Sequence, residues 1–354
     1  MRVVVVGASG NVGTSVLAAL ADEPRVDSVL GVARRRPESP VVEWAEADVG
    51  TDPLTPLFRG ADAVVHLAWA IQPSRDAAAL RRTNVAGSAR VFDAVAEAGV
   101  PSLVYASSVG AYSPGLKDRF VDERWPCGGV ASSFYSRHKA EVEGLLDGFE
   151  REHPAIRVVR LRPALIFKRE AAAGIRRLFS GPLLPTPLLR RRLLRLVPSH
   201  PRLRVQGVHS LDVGHAYRLA LTSDVRGAFN IAAAPILDGP TLARVLGART
   251  VRVPPRVLRA AAAATWRLHL QPTPPGWVDL ALSVPLLDTT RAREELGWTP
   301  TRDAADALLE VIDGMRENAG ADTPPLAPGT GGPLRLGELA TGVGEQDPAA
   351  RSAG

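Results

Sequence analysis

Tyr135 and Lys139, in the run Tyr135-Ser136-Arg137-His138-Lys139, stand four residues apart, the spacing that brings two side chains onto one face of a helix. A free phenol ionises near about pH 10, too high for acid–base work at neutral pH. An ammonium beside it favours the phenolate and draws the group toward useful chemistry. With four tyrosines and three lysines in the chain, chance would supply about 0.03 such pairs. Ser107-Ser108 closes an apolar run that reads as a strand. Ser108 is assigned the outward position, where its hydroxyl can bond a substrate carbonyl or alcohol and orient it toward Tyr135, while Ser107 points into the sheet. Asn84, in Thr83-Asn84-Val85-Ala86-Gly87, holds a water for proton relay or fixes its own helix. A buried structural amide fits it equally well.

A second cluster concerns phosphate. Gly7-Ala8-Ser9-Gly10-Asn11-Val12-Gly13 follows the first apolar run directly and opens a helical pattern. Glycines there let the backbone turn tightly and approach a pyrophosphate whose charge rests on the helix N-terminus. Gly7, Ser9, Gly10, Asn11, Val12 and Gly13 are therefore the expected cradle of a dinucleotide. A cofactor site for NAD usually carries an acid at the end of the second strand. Here Val32-Ala33 runs into Arg34-Arg35-Arg36, and an arginine can pair a 2′-phosphate, so the expected cofactor is NADP in preference to NAD. Asp48 and Val49 follow the third strand, where Asp48 can accept from the adenine amino group or merely close a turn. Leu67 and Ala68 end the fourth strand at the sheet's carboxyl edge, and Pro163 ends a later one. These four and Pro163 join Tyr135 and Lys139 as expected cofactor contacts.

The elements that must position these groups are legible as a rhythm. Short apolar runs at 2–6, 28–33, 41–48, 63–68, 102–107 and 156–161 alternate with helical stretches at 11–21, 76–98 and 132–152. That is the pattern of an α/β fold, a doubly wound parallel sheet covered by helices. Val3-Val4-Val5-Val6 is apolar at consecutive positions, as in a strand buried on both faces. Beyond Pro163 the rhythm breaks. A helix at 208–221 and a strand at 228–232 read as returning to the sheet, and a last helix covers Ala304–Glu317. The expected division is a dinucleotide-binding domain over 1–165, with 206–232 returning to it. A smaller, discontinuous substrate part covers 166–205 and 233–316, and a disordered tail rich in Gly and Pro covers 317–354.

Composition excludes several classes. The chain has 354 residues, 45% hydrophobic and 23% charged, with a net charge of +6, which excludes wholesale disorder. One cysteine, Cys127, excludes a disulfide framework and a cysteine-rich zinc site, and no metal is expected. No signal peptide is expected from the first residues, and no apolar run approaches the roughly 18 residues of a membrane span. The expectation is a soluble cytoplasmic protein. Only three of the 43 basic residues are lysines, so the arginine excess reads as compositional bias, and no nucleic-acid partner is expected. Its one dense cluster, Arg190-Arg191-Arg192 with Arg195, suits a solvated face or the rim of an anionic pocket.

Together these residues resemble the extended short-chain dehydrogenase/reductase superfamily, its NAD-dependent epimerase/dehydratase group, over about residues 1–316. The marks are Gly7/Gly10/Gly13, Asp62…His66-Leu67-Ala68, Asn84-Val85-Ala86-Gly87, Ser107-Ser108…Tyr112 and Tyr135…Lys139. They continue through Leu161-Arg162-Pro163, Val208-His209-Ser210-Leu211-Asp212-Val213, Asn230-Ile231-Ala232 and Leu296-Gly297-Trp298-Thr299-Pro300. The resemblance implies a Rossmann-like domain, a nicotinamide cofactor, Tyr135 as acid/base, Lys139 as its activator and Ser108 as the substrate-orienting donor. It also implies a homodimer through the helices at 76–98 and 132–152. Two departures narrow it. Val109-Gly110 stand where dehydratases of the group place an Asp-Glu pair, and Pro163-Ala164-Leu165 replaces the Gly-Pro continuation usual in sugar-nucleotide enzymes. The expected activity is hydride transfer between nicotinamide and an alcohol/carbonyl substrate. The alternatives are an NAD-dependent epimerase using the same residues, and a non-catalytic nucleotide sensor.

Overall fold

The computed structural model describes residues 1–38, 42–180, 182, 195–329 and 343. The first half of the chain alternates strand and helix, each helix returning the chain so that the next strand lies parallel. In order these are β1 (Arg2–Val6), α1 (Asn11–Leu20), β2 (Ser28–Ala33), β3 (Glu43–Glu46), α2 (Thr55–Phe58), β4 (Ala63–His66), α3 (Ala77–Arg81) and α4 (Gly87–Glu97). They continue with β5 (Ser102–Ala106), β6 (Phe120–Val121), α5 (Phe134–Glu152) and β7 (Arg157–Pro163). The second half holds β8 (Leu165–Phe167), α6 (Ala172–Ile175), β9 (Leu196–Ser199), β10 (Arg204–His209), α7 (Ser210–Leu221), β11 (Gly227–Ile231) and β12 (Ala233–Asp238). It ends with α8 (Gly239–Leu246), β13 (Arg249–Arg252), α9 (Pro255–Arg267), α10 (Gly276–Ser283), β14 (Leu286–Leu287), α11 (Thr290–Glu294) and α12 (Ala304–Glu317).

Seven strands form one sheet in the order β11-β7-β5-β4-β1-β2-β3, every neighbouring pair parallel. The chain runs outward from β1 to β3 and then crosses back to β4, so the order reverses between β1 and β4. A reversal opens a crevice at the carboxyl ends of those two strands, the place where open α/β sheets bind ligands. Both faces are buried, which explains the unbroken valines of β1. Val3 and Val5 pack with Val16, Tyr217 and Trp298, and Val4 and Val6 pack with Phe92, Val95 and Leu146 on the other side. The helices α1 and α7 cross closely on the first face because Gly214 has no side chain: a Cβ there would lie 2.3 Å from the Ser15 carbonyl oxygen. Outside the large sheet, β10 joins β12 and β8 in a three-stranded sheet. Among the described residues no helix is long and apolar enough to cross a membrane.

Three expectations need refinement or correction. The helix expected over 76–98 runs unbroken over 77–97, but between α3 and α4 it widens into a π turn at Arg82–Ala86. There Asn84 is fully buried and bonds the main chain of Ala70 in both directions. The helix expected at 208–221 starts only at Ser210, because Val208 and His209 belong to β10 and the His209 ring caps α7 by accepting from the Leu211 N–H. The disordered tail does not hold as far as residue 329. Residues 319–328 fold back on the body of the protein, with Thr323 and Leu326 buried, so a stretch poor in aromatics is ordered by its contacts with the rest of the chain. The remainder of that tail, apart from Val343, and the cluster Arg190-Arg191-Arg192 lie outside the described residues.

Candidate active site

The glycine loop turns between β1 and α1 under tight constraint. Gly7 has φ +87°, and a Cβ there would lie 2.6 Å from the Ala68 nitrogen, so Leu67-Ala68 packs directly against the turn. Gly13 is just as confined, its would-be Cβ 2.4 Å from the Ala8 carbonyl oxygen. Gly10 differs: only the Gly7 oxygen, at 3.4 Å, would lie within 4 Å of its Cβ. The chain's own packing leaves that face open, as a close-approaching phosphate requires. No side chain caps the first turn of α1, and the Asn11 amide oxygen is buried without a partner. These features fit a dinucleotide, with its pyrophosphate at Gly10 and the N-terminus of α1. Lys168 adds a cation behind the same turn, donating to Thr14 Oγ1 at 2.8 Å and Ser15 Oγ at 3.2 Å. Burial draws its pKa down from the usual lysine value.

The remaining expected nucleotide contacts lie around this crevice. Arg34, exposed, and Arg35, half-buried, follow β2, whose Val32 carbonyl accepts from the Gly7 N–H at 2.8 Å. Asp48 follows β3 and accepts from the Gly50 N–H at 2.8 Å, so one carboxylate oxygen closes a turn. Val49 is buried and would meet a Cβ on Gly87 at 2.7 Å. Pro163 ends β7, buried beside Ile231 of β11.

The reactive groups meet where β5 and α5 adjoin. Ser133 caps α5, its hydroxyl accepting from the Ser136 N–H. Ser136 in turn accepts from the Val130 N–H at 2.6 Å and donates to the Gly110 carbonyl. This lock ties the start of α5 to the turn after β5 and so sets Tyr135 against Ser108. Gly110 makes the fit possible, since a Cβ there would lie 2.7 Å from Tyr135 Cε1. The buried Ser108 hydroxyl accepts from the Gly110 N–H at 3.0 Å. Burial raises the Tyr135 phenol above its ordinary pKa, and a hydrogen bond with Ser108 opposes that rise. Lys139, one turn further along α5, is buried. Its ammonium donates to the Ala106 carbonyl at 2.6 Å and stands 3.5 Å over the Trp69 ring. Burial drives its own pKa well down, opposed by the Glu143 carboxylate.

Residues 3–232 match the NAD dependent epimerase/dehydratase family. The chain belongs to that family. An uncharacterised protein of Mycobacterium tuberculosis is 28% identical over 325 residues, which cover 90% of this chain and 31% of the relative. The chain thus spans about a third of that relative's length. L-arabinose 1-dehydrogenase (NAD(P)(+)) of Haloferax volcanii is 35% identical over 109 residues, 30% of this chain and 41% of that one. Among solved structures, the UDP-glucose 4-epimerase of Thermotoga maritima with UDP-glucose has a TM-score of 0.67 at 20% identity, covering 90% of this chain and 99% of the other. The UDP-glucuronic acid 4-epimerase of Bacillus cereus with UDP-glucuronic acid and NAD has a TM-score of 0.66 at 16% identity, again over 90% and 99%. These structures share the fold.

Within this family member, several residues around the site were not singled out by sequence reasoning. Trp277 of α10 lies against the Tyr135 ring with centroids 4.9 Å apart, Phe179 meets Trp277 edge-on at 4.9 Å, and Trp69 meets Tyr135 edge-on at 5.9 Å. Nothing in the local sequence marks Trp277, which reaches Tyr135 across 142 positions (277 − 135). Glu143, four residues beyond Lys139, accepts from the Ser107 hydroxyl and from both Arg160 and Arg162. Its helical spacing from Lys139 was a usable signal. Asn84 lies 3.5 Å from His138 Nδ1 and is otherwise committed to the Ala70 backbone, so its amide holds the loop after β4. Cys127 is half-buried, and burial pushes its thiol up to about 11, which suits no acid–base role at neutral pH. Among the described residues no His, Cys, Asp and Glu cluster could hold a metal.

Proposed function

We propose that this chain is an NAD(P)-dependent oxidoreductase that interconverts an alcohol and a carbonyl compound, with Ser108, Tyr135 and Lys139 as its working residues. The observation that carries the reading is that Tyr135 and Ser108 flank the same glycine, a Cβ on Gly110 lying 2.7 Å from Tyr135 Cε1 and 3.4 Å from Ser108 Oγ, at the sheet edge that also bears the glycine loop. When bound, the nicotinamide would supply or accept a hydride. In the reduction direction Ser108 and Tyr135 form a donor pair for the substrate oxygen, and Tyr135 gives its proton to the developing alkoxide. A phenol is protonated at neutral pH and so holds the proton that this step needs. Trp69, Trp277 and Phe179 exclude water from the ring, and Glu143 favours the charged form of Lys139.

In this reading residues 1–165 with 206–232 bind the dinucleotide, while 166–205 and 233–316 hold a small-molecule substrate. Arg34 and Arg35 favour NADP over NAD, and the protein works in the cytoplasm, as a homodimer through α4 and α5. A second reading, an epimerase that retains NAD while it oxidises its substrate transiently, is favoured by one feature: residues 319–328 pack on the glycine loop, Thr323 donating to the Ser9 carbonyl oxygen at 2.8 Å.

Mass spectrometry of nucleotide released by acid from freshly purified protein separates the two. Stoichiometric NAD would favour the epimerase, and an empty or NADP-containing site the exchanging oxidoreductase. Tyr135→Phe should lower turnover by about a hundredfold or more and leave dinucleotide affinity within a few-fold. Unchanged turnover would overturn the mechanism.

A further inference from the structure

Residues 319–328 form a compact turn. The Leu326 and Ala327 N–H groups both donate to the Thr323 carbonyl, at 2.9 and 2.8 Å, and the Ala321 N–H donates to the Leu326 carbonyl at 3.2 Å. The turn is anchored from the side of α6: the Ala173 N–H donates to the Ala319 carbonyl at 3.2 Å, Arg177 donates to the Pro325 carbonyl, and Leu326 is buried against Gly174. From this anchored turn the buried Thr323 hydroxyl reaches the Ser9 carbonyl oxygen.

The Ser9 carbonyl shares a peptide plane with the Gly10 N–H, which donates to the Gly7 carbonyl at 3.2 Å. That plane is therefore held at both ends, by Thr323 on the oxygen side and by Gly7 on the nitrogen side. Thr323 takes a carbonyl and none of the N–H groups that face a phosphate, and it leaves the open face at Gly10 uncovered. Its contact is compatible with a bound pyrophosphate and fixes the backbone that would hold one. A loop ordered in advance binds more tightly because less conformational freedom is lost on binding.

We infer that the segment 319–328 is part of the dinucleotide site, with Thr323 a positioning residue that holds the glycine loop in its phosphate-binding conformation. The inference rests on the dinucleotide reading above. Two measurements on the full chain test it. In the first, NADP⁺ and NAD⁺ are titrated by calorimetry, and their release is followed by stopped-flow fluorescence, on the parent, Thr323→Val and Thr323→Ser. Thr323→Val should weaken both nucleotides by about tenfold, the size of one lost hydrogen bond, with faster release and a thermal midpoint lowered by no more than a few degrees in the absence of nucleotide. Thr323→Ser should restore the parent values. Parent affinity in Thr323→Val overturns the inference, and so does tighter binding, which would make the segment a competitor of the cofactor.

The second measurement needs no variant. Hydrogen exchange of the parent with and without NADP⁺ should show the amides of residues 9–12 and 321–327 gaining protection together. Protection confined to 9–12 overturns the inference. A parent that binds neither nucleotide overturns the dinucleotide reading as well, so the two failures are distinct.

Discussion

Replacing Glu143 by glutamine removes one charge from a buried cluster and keeps the shape. The carboxylate is 2% exposed and accepts from Arg160 Nη1, Arg162 Nε and Arg162 Nη2, each at 2.8 Å, and from the Ser107 hydroxyl. Burial alone would raise its pKa, but Arg162, Arg160 and Ser107 together hold it at about 2, against an ordinary 4.5. That difference is worth about 3 kcal/mol in favour of the charged form. Removing one partner of a buried ion pair has a similar cost, about 3–5 kcal/mol. Glu143→Gln should therefore lose about 3 kcal/mol of stability near pH 7. Because the folded carboxyl has the lower pKa, the contribution is complete above the unfolded value and is lost as pH falls through the folded one. The deficit of the variant should shrink by about 2 kcal/mol between pH 7 and about pH 3. Urea titrations of parent and variant across that range read the difference directly. The variant should also lose activity beyond its loss of stability, since Glu143 favours the charged form of Lys139. A variant as stable as the parent near pH 7, or a deficit that does not change with pH, would refute the reasoning.

Gly110→Ala should leave the fold intact but displace the Tyr135 ring, whose Cε1 would lie 2.7 Å from the new methyl. A fall in turnover of about tenfold or more with little change in dinucleotide affinity is the expected steady-state result. Lys117 donates to the Arg204 and Ala281 carbonyls at 2.8 and 2.9 Å, and burial lowers its pKa from 10.5 to about 7. The unfolded chain then binds the extra proton between those values, so this group makes stability rise with pH across that window. Lys117→Met should remove up to about 1 kcal/mol per pH unit of that rise, as denaturant titrations from near neutral pH to about pH 10 would record. Replacing Arg34 and Arg35 together by alanine should weaken NADP⁺ about tenfold or more and leave NAD⁺ within a few-fold, as measured by calorimetry. Equal losses for both nucleotides would remove the argument for a 2′-phosphate.

What the sequence determined is what short-range physics writes into it. Four β-branched valines in a row suit a strand buried on both faces, and a glycine turn between that strand and a helix suits a bound phosphate. Tyr135 and Lys139 at helical spacing, and Ser108 at a strand end, are likewise local patterns. Local reasoning was weaker where a feature lacked its own signal: His209 caps α7 although nothing before Ser210 looks like a usual cap, and the π turn at Arg82–Ala86 carries Asn84, whose amide bonds the backbone of Ala70. The electrostatic outcome was not local at all. Spacing puts Lys139 on the face of Tyr135, but it does not show that burial raises the phenol or that the ammonium also meets the Ala106 carbonyl and the Trp69 ring, because desolvation depends on everything packed around a group. The same holds for Trp277 against Tyr135 and for Thr323 against Ser9, which are 142 (277 − 135) and 314 positions apart. Pairings that distant carry no periodicity of their own. They follow from how the whole sheet, its helices and the last turn of the chain close on one another.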